Sequence, residues 1–286
     1  MKGIILAGGS GSRLWPLTKA TSKQLIPVYD KPMIYYSIST IMLAGIRDLM
    51  IVTTPIDAPV FQRLLGDGSD YGLNIVYGIQ AEPNGIPEAI TIAYEFIGSD
   101  DFCLLLGDNI FYGPRFSSIL ASARKKVEEL RESVIFAYHV NDPRDFGVVD
   151  LDDDFKPIRL SEKPTDPKSN YAITGLYFYT NDIKDKLGCL EKSARGELEI
   201  TDLNRRILND GRLGVELLGR GFAWFDCGTH ESLHAASCFV HTVERAQGFK
   251  IACLEEIAMD RGFISADLVV SQGSSAYSHY IKNLLI

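Results

Sequence analysis

Gly3-Ile4-Ile5-Leu6-Ala7-Gly8-Gly9-Ser10-Gly11-Ser12-Arg13 runs an apolar segment straight into a glycine loop, and Ser22-Lys23-Gln24-Leu25-Ile26-Pro27 adds a second cation ten residues after the first. Three glycines let backbone come close to a ligand and turn several N–H groups toward one point, an arrangement suited to phosphate oxygens. Arg13 contributes a planar fork of donors and Lys23 a point charge. An ordinary turn would account for the glycines alone, but the two cations make an anion site the better reading. Two familiar phosphate loops do not fit. A nucleoside-triphosphatase loop closes with Gly-Lys-Ser or Gly-Lys-Thr, whereas Gly11 is followed by Ser12 and Arg13. A dinucleotide fingerprint needs a third glycine and an acidic residue after the second strand, yet Leu14 stands where that glycine belongs and the run 49–54 ends in threonines.

Outward from this loop, residues 4–7, 49–52, 75–76, 102–106 and 134–138 read as short strands. Helical patterns at 33–43, 59–65 and 88–97 lie between them, each followed closely by a glycine. That alternation predicts a layered α/β fold with a mostly parallel sheet. From 146 to 179 the pattern changes to strand-like runs separated by polar turns, with no clear helix, which predicts an antiparallel extension carrying a second site. A helix near 199–208, strands at 215–218 and 223–225 and a helix over 231–247 follow. No linker, repeat or low-complexity tract interrupts the chain. One continuous domain with a C-terminal appendage is therefore expected.

The 286 residues, 46% hydrophobic and 23% charged, can bury a sizeable core. A formal charge of −8 argues against a nucleic-acid or anionic-membrane surface, so a polyanionic ligand must be met by local cations. No apolar run reaches the roughly 20 residues of a membrane span, and Met1-Lys2 enters the first strand without a signal sequence, which predicts a cytoplasmic protein. The five cysteines, Cys103, Cys189, Cys227, Cys238 and Cys253, show no Cys-x-x-Cys spacing and read as reduced packing residues.

Leu104-Leu105-Leu106-Gly107-Asp108-Asn109 places a carboxylate just past a very apolar strand, where open α/β sheets bind ligands. Trp224-Phe225-Asp226-Cys227-Gly228-Thr229 repeats the arrangement. Asp108 and Asp226 would together satisfy magnesium, which takes one or two carboxylates and fills its other positions with water and phosphate oxygens; turn aspartates capping helices are the alternative. Lys163, in Glu162-Lys163-Pro164, and Arg195, in Ser193-Ala194-Arg195-Gly196, stand beside turn formers and suit a second phosphate as well as they suit a solvated surface. Asn170-Tyr171-Ala172-Ile173-Thr174-Gly175-Leu176-Tyr177 has the hydroxyls, amide and glycine of a sugar pocket, although these residues alone read more simply as a core strand.

Taken together, the loop 8–14, the segment 22–27, Gly107-Asp108-Asn109-Ile110-Phe111-Tyr112-Gly113, Glu162-Lys163-Pro164, the stretch 193–202 and Asp226-Cys227-Gly228-Thr229 resemble the bacterial glucose-1-phosphate thymidylyltransferases. These form a branch of the sugar-nucleotidyltransferase family. Lys31-Pro32-Met33-Ile34-Tyr35-Tyr36, Ala137-Tyr138-His139-Val140-Asn141-Asp142-Pro143 and the stretch 194–202 are the segments that mark this branch. The resemblance implies a three-layer, Rossmann-like nucleotidyltransferase fold with a mixed, mostly parallel sheet and an antiparallel sugar-binding extension. It implies a catalytic domain over 1–240, nucleotide-binding to about 140 and sugar-binding over 141–240, with a helical appendage at 241–286.

The reaction so implied joins dTTP and glucose 1-phosphate to give dTDP-glucose and pyrophosphate, with Mg2+ as cofactor and a homotetramer, a dimer of dimers, as the assembly. Arg13, Lys23 and Asp108 become the catalytic set. Leu6, Gly8, Gly9, Gly11, Ser12, Arg13, Gln80, Gly85 and Asp108 bind nucleotide, Gln80 and Gly85 facing thymine. Gly147, Glu162, Lys163, Ile173, Tyr177 and Arg195 bind the sugar phosphate, and Asp108 and Asp226 hold the metal. A uridylyltransferase, a transferase for another hexose 1-phosphate and a non-catalytic sugar-nucleotide-binding subunit are the competing readings. The intact Arg13, Lys23, Asp108 and Asp226 speak against the last. The chain departs from the branch at Ile86-Pro87-Glu88, where Leu-Ala-Gln is usual, at Ser161 in place of an acidic residue, and over the tail 266–286. Proline and glutamate are good helix starters, so the first departure reads as a helix start slightly ahead of an altered base pocket. The third puts feedback control through a subunit-interface effector site in question.

Overall fold

A computed structural model of the chain describes residues 1–9, 11–193, 196–269 and 274–285. Among these residues thirteen strands fall at Lys2–Ala7 (β1), Pro27–Val28 (β2), Lys31–Pro32 (β3), Asp48–Thr53 (β4), Asn74–Ile79 (β5), Phe102–Leu106 (β6), Asn109–Tyr112 (β7), Ser133–His139 (β8), Gly147–Leu151 (β9), Pro157–Glu162 (β10), Tyr171–Tyr179 (β11), Leu213–Leu218 (β12) and Ala223–Asp226 (β13). The main sheet runs β10-β9-β11-β6-β1-β4-β5, and β8 joins it between β11 and β12. β6, β1, β4 and β5 are parallel neighbours, as are β8 and β12, while β11 runs antiparallel to β6, β8 and β9.

Parallel strands need crossovers, and helices supply them: Ile34–Leu43 between β1 and β4, Ala58–Leu65 before β5, and Ile86–Ile92 before β6. The chain moves from β1 outward to β4 and β5, then returns to place β6 on the other flank of β1. The carboxyl ends of β1 and β6 thus meet where strand order reverses. β6 is an unbroken apolar run because both its faces are covered. Cys103 and Leu105 join the core layer of helices Ile34–Leu43, Ala58–Leu65 and Phe116–Leu130, while Phe102 and Leu104 join that of Ile86–Ile92 and Ile200–Asn209. At about 1.5–3 kcal/mol per fully buried large apolar side chain, these two layers dominate the fold's stability.

The expected helix over 88–97 is two helices, Ile86–Ile92 and Tyr94–Ile97, separated at Ala93. The reading of 86–88 as a helix start agrees with its geometry, Pro87 and Glu88 lying in the first turn. Helix Phe116–Leu130 has no counterpart in the sequence reading. It opens at Arg115 in the left-handed region without a side-chain cap, and its core face repeats at Phe116, Leu120, Ala123 and Val127. The cysteine reading needs correction: Cys103, Cys227 and Cys253 are buried, but Cys189 and Cys238 are exposed free thiols outside the core, the latter 3.6 Å from His234 Nε2. No described helix is long and apolar enough to cross a membrane.

Candidate active site

The loop after β1 is shaped by Gly9 and Gly11, at φ +99° and +57°. A Cβ on Gly11 would lie 2.7 Å from Thr18 Cγ2, and the same threonine donates its hydroxyl to the Gly11 carbonyl at 2.9 Å. A single 3-10 turn, Ser12–Leu14, then buries Leu14 and leaves Ser12 and Arg13 facing out. Local chain geometry therefore aims Arg13 at the space beyond the β1 and β6 ends.

Asp108 follows β6, and Asp226 ends β13. The two-stranded pairing of β13 with β7 sets Asp226 opposite Asn109, and the Cys227 N–H donates to the Asp108 carbonyl at 3.0 Å. Two carboxylates distant in sequence become neighbours through four ladder positions. Lys23 forms an ion pair with Asp108, whose other oxygen accepts from Asn109 Nδ2 at 3.1 Å. Asn109 cannot turn over, because its Oδ1 accepts from Trp224 Nε1 at 2.6 Å and from the Gly175 N–H at 3.1 Å. Burial pushes the Asp108 carboxyl up, but the charge of Lys23 and the hydrogen bonds of Lys23 and Asn109 outweigh it and leave the group below the ordinary range. Burial also pulls the Lys23 ammonium down; Asp108, with Asp226 behind it, reverses this and holds it above the usual lysine value. Among the described residues Asp226 has no such ion-pair partner. Burial, then the Asp108 charge, raise its pKa to about 6 against the weaker pull of Lys23, Arg13 and Lys163.

On the opposite wall, β9 and β10 pair so that Gly147 faces Glu162. Glu162 Oε2 accepts from the Thr201 hydroxyl at 2.5 Å, and Lys163 turns at φ +42° with its N–H on the Phe146 carbonyl. Ile173 and Tyr177 come from β11, on either side of a register shift in its pairing with β8. Gly85, at φ +106°, pairs with Leu198; a Cβ there would stand 2.2 Å from the Leu198 carbonyl oxygen, so the loop after β5 and the backbone at Leu198 are closed against each other.

These walls enclose a cavity of about 420 Å³. Leu6, Gly8, Gly9, Gly11, Ser12, Arg13 and Lys23 line it from the glycine-loop side, Gln80 and Gly85 from the end of β5, Asp108 and Asp226 between, and Gly147, Glu162, Lys163, Ile173 and Tyr177 from the far side. Arg195 lies outside the described residues. Gln24, Thr201 and Trp224 also line the cavity and were not singled out as site residues. Each stands within a motif segment, Gln24 beside Lys23, Trp224 two residues before Asp226 and Thr201 in the stretch 193–202, but the contacts across the fold that bring them to the cavity carry no local signal.

Among the described residues no cluster of three or more His, Cys, Asp or Glu side chains could hold a metal. Asp108 is buried and Asp226 half-buried beside it, and the combined pull of Lys23, Arg13 and Lys163 does not bring the Asp226 carboxyl back to its ordinary range. That donor set fits a hard divalent cation completing its shell with water and phosphate oxygens.

The Nucleotidyl transferase family model matches residues 2–243. The glucose-1-phosphate thymidylyltransferase of Neisseria meningitidis serogroup A is 53% identical over an alignment covering all of this chain and 99% of that protein. The enzyme of the same name from Mycolicibacterium smegmatis is 52% identical, with the same coverage. A solved structure of a Bacillus anthracis glucose-1-phosphate thymidylyltransferase with sucrose superposes at TM-score 0.77 and 38% identity, over 84% of this chain and 94% of that one. A UDP-glucose pyrophosphorylase with UDP-glucose, at TM-score 0.76 and 24% identity over 85% of this chain and 98% of that one, shares the fold.

Proposed function

This chain belongs to the nucleotidyl transferase family, and on that premise we propose that it transfers the dTMP moiety of dTTP to α-D-glucose 1-phosphate, releasing pyrophosphate and forming dTDP-glucose. The carrying observation is the convergence of Arg13, Lys23, Asp108 and Asp226 on one cavity whose two walls are a glycine loop and the Glu162-Lys163 turn.

A phosphate oxygen of the sugar phosphate attacks the α-phosphorus in line, and the pyrophosphate oxygen leaves on the opposite side. No covalent enzyme intermediate is required. The chain's part is positioning and charge neutralisation. Arg13 and the glycine-loop amides hold the leaving phosphates. Lys23, kept charged by Asp108, neutralises the α-phosphate and the incoming oxygen. Asp108 and Asp226 would hold Mg2+, which when bound supplies further neutralisation of the phosphate oxygens. Gln80 and Gly85 take the base; Gly147, Glu162, Lys163, Ile173, Tyr177 and Arg195 take the sugar phosphate, with Thr201 fixing the Glu162 carboxylate toward the sugar hydroxyls. On this reading the nucleotide part extends to about residue 140 and the sugar part over 141–240, with 241–286 as an appendage, and the assembly is a homotetramer that light scattering would register.

The test is pyrophosphate release by purified protein with magnesium. dTTP and UTP are each offered with glucose 1-phosphate, glucosamine 1-phosphate and galactose 1-phosphate. Release that needs a sugar phosphate and is fastest with dTTP and glucose 1-phosphate is expected. No release with any pair from a folded, nucleotide-binding protein would overturn the proposal.

A further inference from the structure

Gln80, at the end of β5, is 6% exposed and lines the nucleotide end of the cavity. Its Nε2 donates to Glu88 Oε2 at 2.6 Å and to the Gly85 carbonyl at 3.3 Å. Glu88 is fixed in turn: its Oε1 accepts from Asn84 Nδ2 at 2.9 Å, and Asn84 Oδ1 accepts from Lys192 Nζ at 2.9 Å. An ionised carboxylate only accepts hydrogen bonds, so the end of Gln80 that meets Glu88 must be its NH2. Its carbonyl oxygen is thereby turned the other way. Oε1 lies 3.0 Å from the place a Cβ on Gly8 would occupy, at the edge of the phosphate loop, and among the described residues no protein group donates to it.

We propose that Glu88 is a positioning residue which, by locking the amide of Gln80 with its oxygen toward the cavity, makes the site select a base that offers a ring N–H. Thymine and uracil carry that donor at N3. Cytosine has an acceptor there, so it would set two acceptors against each other and leave the buried Gln80 oxygen unpaired. A glutamine at position 88 could accept or donate, and would leave both orientations of Gln80 open. The glutamate at this departure from the family pattern thus acts on base choice through Gln80 without touching the base. The inference rests on the proposed nucleotidyl transfer only for the identity of the ligand.

Calorimetric titration of dTTP and dCTP into the wild type, Glu88→Gln and Glu88→Ala tests it without requiring turnover. The wild type is expected to prefer dTTP. The ratio of dCTP to dTTP Kd should fall about tenfold in Glu88→Ala and by a smaller factor in the isosteric Glu88→Gln. Melting temperatures should stay within about 3 °C and the KM for glucose 1-phosphate within about twofold, shifts too small to count as loss of the fold. An unchanged ratio in both variants, or a wild type that does not discriminate, overturns the inference. Transfer activity in the same preparations is a separate readout: selective binding of dTTP with no product would sink the reaction proposed above and leave base selection standing.

Discussion

Lys23 sits between two carboxylates of different character, and the chemistry of the cavity turns on that difference. It pairs with Asp108, so both stay charged near neutrality, while Asp226 bears the cost of crowding. On the proposed mechanism, Lys23→Ala removes a cation facing the negative charge that develops on the phosphate oxygens, and Asp108→Ala removes both the partner of Lys23 and a ligand for Mg2+. Initial rates of pyrophosphate release should fall about 10²-fold or more, and a near-normal rate would remove that residue from the mechanism. Asp226 adds a pH dependence whose sign can be worked out. Its folded pKa of about 6 lies above the ordinary 3.8, so its ionisation opposes folding: the stability it contributes is full below about pH 4 and is lost as pH rises through about 6. Without divalent metal, Asp226→Asn should therefore melt higher than the wild type at pH 7.5, with the gain vanishing toward pH 4. Proton and metal compete for Asp226, so the Mg2+ concentration needed for half-maximal transfer should rise as pH falls below about 6. A melting difference that is independent of pH would show that Asp226 is not perturbed in this way.

At the scale of elements, the turn after β13 joins the two halves of the acidic pair to the first cation. Gly228 follows Cys227 and leads into helix His230–Gln247, whose start is closed by a capping box: Ser232 N donates to Thr229 Oγ1, and Thr229 N to Ser232 Oγ, each at 3.1 Å. A Cβ on Gly228 would stand 2.6 Å from Arg13 Nη2 and 3.0 Å from Arg13 Cζ. The obstacle is the far end of a flexible side chain, so Gly228→Ala should displace the guanidinium and spare the fold. We expect kcat/KM for dTTP to fall about 10- to 100-fold with the melting temperature nearly unchanged. Adding Gly228→Ala to Arg13→Ala should cost nothing further, since the two act through one group. Additive losses in that double mutant would place the effect of Gly228 elsewhere.

At the scale of the molecule, helix His230–Gln247 is tied to the β2–β3 hairpin by buried charges. Glu244, 7% exposed, accepts from Lys31 Nζ at 3.2 Å, from Lys250 Nζ at 2.6 Å and from the Ile251 N–H at 2.9 Å, and both lysines also reach Asp30. Removing one member of a buried network leaves charge uncompensated. Because Asp30 remains for both lysines, the cost of Glu244→Ala should sit at the low end of the usual range, about 3 kcal/mol, and appear as a thermal midpoint lowered by several degrees. Glu244 does not line the cavity, so the transfer rate of the folded variant should stay within about threefold of wild type. An unshifted midpoint would mean the network contributes no stability.

Much of the fold was legible because its signals are local. β1, β4 and β6 announce themselves as apolar runs, the crossover helices by period and closing glycine, and the glycine loop and Asp108 by their places after β1 and β6. What escaped depends on pairing between distant segments. Helix Phe116–Leu130 begins without a capping side chain, and β7 reads as a motif until β13 lies against it. The meeting of Asp108 with Asp226 follows from the register of that pair, in which a slip of one residue would turn the aspartate to the other face. The same holds for Thr201 on Glu162 and for Glu88 on Gln80, each a single hydrogen bond between side chains that only the packed layers bring within 3 Å. The sequence by itself determined which chemical groups are available and which strand ends deliver them, because short-range backbone geometry settles both. Tertiary structure alone decided which carboxylates share a charge and which amide end faces the cavity, because distance and orientation across the sheet control those energies.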